Sequence, residues 1–148
     1  MCGQAAYNKA IKFVPAFGLH RTPLSGRRLL LALHAVGMLK DLTGKLFTVA
    51  NGHLSYEIDD ASSELLPVIG QLLQSEFGFA PTAGPAIGLS EVVVELEIAG
   101  IKVGLGWDNW SGAYVMAFTD EGDQYIKKIA SFLNTELEQP KYRRYGST

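Results

Sequence analysis

The alternation between Glu91 and Asp108 constrains this chain more than any other stretch: EVVVELEI, then Ala99-Gly100, then IKVGLGWD. Two runs of period-two hydrophobicity joined by a two-residue turn specify an antiparallel hairpin. Pairing Ile98 with Ile101 keeps Val92, Val94, Leu96, Val103, Leu105 and Trp107 on one face and sets Glu97 opposite Lys102. Such a sheet exposes an apolar face that helices must cover.

Neighbouring segments supply them. Asp59 to Ser63 offers several capping residues for a helix reaching about Phe77, with Leu65, Leu66, Ile69, Leu72, Leu73 and Phe77 on its apolar side. Pro67 is tolerated only near the first turn, and Gly78 suits the left-handed position that ends the helix. The APTAGPAIGLS run that follows holds too much Gly and Pro for regular structure. A second helix is expected from Asp120, which caps it, with Asp123 near the positive end of its dipole and Ile126, Ile129, Leu133 and Leu137 facing the sheet.

Leu46 to Ile58 reads as a hairpin around Asn51-Gly52, a pair that suits a two-residue type I′ turn. That turn sets Val49 opposite Leu54 and Phe47 opposite Tyr56, and puts Thr48, Ala50, His53, Ser55 and Glu57 on the other face, with His53 expected to be exposed. A further strand, AYVMAF, follows Asn109-Trp110-Ser111-Gly112 and is expected to add Tyr114, Met116 and Phe118 to the apolar face. The expected order is β-β-α-β-β-β-α: an α+β fold with an antiparallel sheet and helices packed on one face.

Charge divides the chain further. Lys and Arg number five in residues 1–37, five in 38–138 and three in 139–148, and all fifteen acids lie in the middle stretch, giving +5, 5 − 15 = −10 and +3. The expected organisation is a basic lead-in over 1–37 with a short helix from Arg27, an acidic α+β domain over 38–138, and a basic disordered tail over 139–148. A unit of −10 repels nucleic acid and attracts basic proteins or cations, despite the base-stacking composition of the KYRRYGST tail. The single cysteine, Cys2, excludes an internal disulfide and points to a reducing, cytoplasmic setting. Apolar runs such as Leu29–Leu33 fall short of the ~20 residues that span a bilayer.

Residues 1–28, acid-free and broken by Pro15, Gly18, Pro23 and Gly26, suit a disordered arm, an organelle transit peptide or translated upstream DNA. The run NKAIKFVPAFGLHRTPLSGRR resembles the translated recombination sites of bacterial mobile gene cassettes of the integron type. That resemblance implies a reading frame that runs through the repeat before its native start, for which Met38 is the candidate, and it implies no function.

For chemistry the chain offers little. His20, His34 and His53 are scattered, no paired cysteines or HExxH occur, and neither phosphate-binding glycine motif is present, so no metal or cofactor is expected. The densest polar and aromatic cluster is Trp107, Asp108, Asn109 and Trp110, which either binds a ligand or merely satisfies its own turn. Glu57, Glu91 and Glu95 join Asp108 on the reverse sheet face, made shallow by Gly104 and Gly106 opposite Ala113 and Ala117. Two functions follow as expectations. One is an acidic binding protein, of immunity or antitoxin type, that engages a basic partner; the other is a site, enzymatic or not, for a small cationic ligand at the Trp107–Trp110 hairpin. A small-residue face also permits a homodimer.

Overall fold

A computed structural model describes residues 41–146. They belong to one of the two compact units into which the chain divides, residues 35–148. The basic lead-in, the helix expected from Arg27 and the cassette-like run lie outside the described residues.

The strands are β1 (Lys45–Thr48), β2 (Leu54–Ile58), β3 (Ala80–Pro81), β4 (Ala86–Ile87), β5 (Glu91–Ile98), β6 (Ile101–Asp108) and β7 (Gly112–Ala117). Helix α1 spans Leu65–Phe77, α2 spans Asp120–Glu136, and a 3-10 turn covers Pro140–Tyr145. The fold is α+β, with an antiparallel sheet ordered β1-β2-β7-β6-β5-β3, and β4 pairs beside β3 on the same edge of β5. The run expected to be irregular therefore contributes two short strands, because the edge of β5 leaves backbone groups that Ala80–Pro81 and Ala86–Ile87 can pair.

The β5–β6 hairpin has the expected register, Ile98 opposite Ile101, through a two-residue turn with Ala99 at φ 49° and Gly100 at φ 81°. At the other two hairpins the register differs by one residue from expectation, and one residue reverses a strand face. Around Asn51 the loop has three residues, not two: Val49 N–H donates to the His53 carbonyl, Gly52 N–H to the Val49 carbonyl, and Gly52 alone takes positive φ. Leu46 thus pairs with Tyr56 and Phe47 with Ser55, which turns Phe47 away from the helices. Asn51 has a tertiary role instead, its Nδ2 donating to the Ala117 carbonyl at 3.1 Å.

After β6 the chain turns through Asn109, Trp110 and Ser111, pairing Asp108 with Gly112 rather than with Ala113. This places Ala113, Val115 and Ala117, all buried, on the helix side, and sends Tyr114 and Met116 to the reverse face. Small residues there let α2 approach closely, with Gly122 against Ala117. The core is the helix-side face of β2, β7, β6 and β5 under Leu65, Ile69, Leu73, Ile126, Ile129 and Leu133. Trp107 packs on that core and its Nε1 donates to the Ala61 carbonyl at 2.8 Å. Tyr56 is buried with its hydroxyl on Asn134 Oδ1 at 2.8 Å, and burial pushes the phenol up to about 12.

Helix α1 ends where its glycine requires, and both described helices start with small shifts from expectation. Gly78 closes α1 at φ 87°, whereas Glu64 precedes it with no side-chain cap. Thr119, not Asp120, caps α2: its Oγ1 accepts from Gly122 N–H at 3.1 Å, leaving Asp120, Glu121 and Asp123 in the first turn.

The expectation of a disordered tail fails over residues 140–146. Tyr142 is buried, its hydroxyl donates to Glu136 at 2.7 Å, Arg143 bridges Asp41 at 2.8 Å, and Gly146 pairs with Ala61. An aromatic ring every third residue suits a 3-10 turn, where positions i and i+3 eclipse, so Tyr142 and Tyr145 fall on one side. Tyr142→Ala is expected to cost about 3 kcal/mol in urea unfolding, a loss that a dispensable tail would not produce.

Two positive-φ sites should respond in opposite directions. Ala99→Gly removes a side-chain penalty and is expected to gain roughly 0.5–1 kcal/mol. Gly112→Ala, at φ 65° with its new Cβ driven into the Ile58 and Asp59 carbonyls, should lose more than about 2 kcal/mol, both read by thermal melting.

Candidate functional site

Strand register decides which carboxylates share a surface. Pairing Glu91 with Asp108, Glu57 with Tyr114 and Glu95 with Gly104 puts Glu57, Glu91, Glu95 and Asp108 on the open face, opposite the helices. Glu97, paired with Lys102, stands there too. Among the described residues five acids therefore meet two lysines, Lys102 and Lys45, on this face, and Lys102 already bridges Glu95 at 2.9 Å.

The face is not the shallow surface expected from Gly104 and Gly106. With β7 reversed, the Tyr114 ring lies where a Gly106 side chain would stand, and Phe118 and Met116 cover Gly104. The glycines serve as seats for rings from the next strand, so the strip between the acids is aromatic and filled. Ser55 is buried on the same side.

A recess of about 230 Å³ opens beside that strip, lined by Val49, Ser55, Glu57, Asp108, Ser111, Tyr114 and Met116. Burial is the main cause that raises the Glu57 carboxyl above its ordinary value, with Asp59 and Asp108 adding repulsion against a hydrogen bond from Ser55. The Tyr114 phenol is raised as well, by burial first and then by Asp108, Glu91 and Glu57. Both shifts report negative potential in a partly dry recess, a place suited to a cation.

The tryptophan hairpin divides into separate parts. Trp107 belongs to the helix-side core, whereas Asp108 is on the open face, so the two do not line one site. Asp108 Oδ1 accepts from Trp110 N–H at 2.7 Å and from Ser111 N–H at 2.6 Å, which commits this carboxylate to holding the turn. Asn109 is exposed at the tip, and Trp110 is 91% exposed.

One cluster escaped sequence reasoning. His53, expected to be exposed, is half-buried, with Nδ1 at 3.1 Å from Asp123 Oδ2 and 3.8 Å from Asp120 Oδ1. Asp123 Oδ1 also accepts from Leu54 N–H at 2.8 Å, so one carboxylate ties the β1–β2 hairpin to the first turn of α2. The three groups are close enough to share a metal ion. Yet Asp120 is almost wholly exposed, and the helix N-terminus beneath disfavours a cation, so the geometry suits a latch. No local spacing signals it, because the partners are some seventy residues apart and meet only through the fold.

No known protein family, curated protein or solved structure matches the chain. Among the described residues no helix is long and apolar enough to cross a membrane.

The latch carries a pH signature. The Leu54 N–H, and after it His53, hold Asp123 below the usual carboxylate range. A depressed folded value stabilises the fold above the ordinary pKa of about 3.9, and the contribution is lost as pH falls through the folded value. The difference in urea midpoint between the parent and Asp123→Asn should be present above the ordinary carboxylate pKa and shrink as the pH falls through the depressed folded value.

Proposed function

We propose that this protein is a binding module whose open sheet face engages a basic protein surface, with one lysine or arginine of the partner entering the recess between Glu57, Asp108 and Tyr114. The observation that carries the reading is the concentration, among the described residues, of five carboxylates against two lysines on the face opposite α1 and α2. Complementary charge accelerates encounter and disfavours wrong partners. At about 230 Å³ the recess is smaller than the ~300–1,000 Å³ typical of small-molecule sites, and it fits the end of one side chain. A cation there also offsets the burial and repulsion that raise Glu57.

Within that proposal, an immunity or antitoxin role against a basic toxin is the narrower form, supported by the charge. A cationic ligand clasped between Trp107 and Trp110 draws no support, since Trp107 is held in the core face.

Binding of the full-length protein to arrayed lysine- and arginine-bearing peptides tests the proposal. Affinity should fall steeply as salt rises, and about tenfold or more in Glu91→Lys/Glu95→Lys, because rim charges steer association. Glu57→Gln should also weaken binding while leaving the melting temperature at pH 7 equal to or above the parent's, since a raised carboxyl pKa means its ionised form is held at a cost. Asp108 is left intact because its replacement would release the turn. Salt-independent affinity, or affinity indifferent to charge reversal, overturns the reading; free lysine or a polyamine competing as well as the peptides would move it to a small cationic ligand.

A further inference from the structure

The opposite side of the sheet carries a second site. Six strands in a row at ~4.8 Å span about 24 Å between the outer axes, whereas the two helices among the described residues, at ~10 Å each, cover roughly 20 Å. Helix α2 packs on β7, β2, β6 and β1, and α1 packs on β6, so the shortfall falls at β5 and its short partners. Val92 and Val94, helix-side residues of β5, are consequently only half-buried.

What opens there is a groove of about 470 Å³ between α1 and β5. Leu105, Val92, Val94 and Leu96 form its floor, Leu66, Pro67 and Gly70 one wall, and Pro81 and Pro85 the other. Among the described residues no charged side chain lines it, and their polar groups there are the neutral Ser63, Gln71 and Gln74. Gln71 and Gln74, three apart on one helix, face the same rim. The volume lies in the range of small-molecule sites, with room for roughly fifteen non-hydrogen atoms at the ~30 Å³ a liquid water occupies.

Two further features point to a ligand. Gly70 sits in the interior of α1, where glycine weakens a helix relative to alanine. Packing does not require it: a Cβ there would meet only Leu105 at 3.5 Å, an ordinary contact. Its missing side chain instead keeps the groove open. On the far lip, Ile87 pairs with Val92, which puts both side chains on the groove side of the sheet, and Ile87 is nonetheless 75% exposed. An aliphatic side chain left wet at the edge of an apolar groove gains cover when the groove is filled.

We infer that this groove binds an uncharged, largely aliphatic small molecule with one hydrogen-bonding group, its apolar body against Val92, Val94 and Leu105 and its polar end at Gln71 and Gln74. A charged ligand is disfavoured because no described residue of the lining can pair with it. A second copy suits the site less, since stable dimers bury broad patches near 800 Å² per partner rather than a concavity of this size. The site lies on the face opposite the acidic one and is independent of it.

Titration of the full-length protein with the neutral dye N-phenylnaphthylamine tests this inference. Fluorescence should rise to saturation at one dye per chain, and decanol should displace the dye at least about tenfold better than decanoate or decylammonium. Gly70→Leu should abolish binding with the circular dichroism spectrum retained, and Val94→Gln should weaken it about tenfold should the leucine variant fail to fold. Gly70→Ala should raise the melting temperature, and Glu91→Lys/Glu95→Lys should leave the dye affinity unchanged. No saturable binding, binding indifferent to both groove variants, or self-association that competes with the dye would each overturn the assignment.

Discussion

The turn between β6 and β7 sets the face of the sheet on which everything else is built. Asp108 accepts two backbone N–H groups across it, and Gly112 closes it with a positive φ against the Ile58 and Asp59 carbonyls. With Asp108 opposite Gly112, the alanines and Val115 of β7 turn to the helices. Helix α2 then approaches closely enough to bury Ile126, Ile129 and Leu133. The same register sends Tyr114 across Gly106, which fills the open face and shapes the recess beside Glu57. A slip of one residue would exchange these two surfaces entirely. Core and candidate interface are therefore consequences of one turn.

Asp108 shows how structural and functional roles overlap here. Its carboxylate contributes negative potential to the recess, yet its hydrogen bonds belong to the backbone of its own turn. The Glu95 carboxylate accepts from the Thr82 hydroxyl and bridges Lys102, and Glu57 is held at a cost in a partly buried place. Residues that stand in a fold at some expense, as Glu57 does on one face and Gly70 and Ile87 do on the other, are where function is best sought. The two surfaces differ in character because strand alternation sorts them: carboxylates and rings outward, aliphatic residues inward toward the helices.

The sequence was legible wherever a signal is local. Period-two alternation identified β5 and β6, and Ala99-Gly100 set their register because a two-residue turn leaves no other pairing. Gly78 marked the end of α1, and the apolar repeat identified α2. Asn51-Gly52 misled because Asn51 is drawn into a bond with Ala117, sixty-six residues away, and the loop takes a third residue. Tyr114 and Met116 looked like core because a turn through Asn109 to Gly112 gives them that parity, but close helix packing selects the smaller Ala113, Val115 and Ala117. Tyr142 lay in a basic stretch that resembled a solvated tail, and its burial depends on contacts with Glu136 and on neighbours of Asp41 and Ala61.

By itself the sequence determined the fold class, the helices, the central hairpin and the concentration of acids within one folded unit, because these rest on propensity, periodicity and charge that act over a few residues. Only the tertiary structure decided which face of β7 is buried, that Trp107 and Trp110 part company, that His53 meets Asp123, and that α1 leaves a groove over β5. Those outcomes depend on single-residue register and on distances between elements far apart in the chain. Local pattern carries no information about either until the sheet and its helices are assembled.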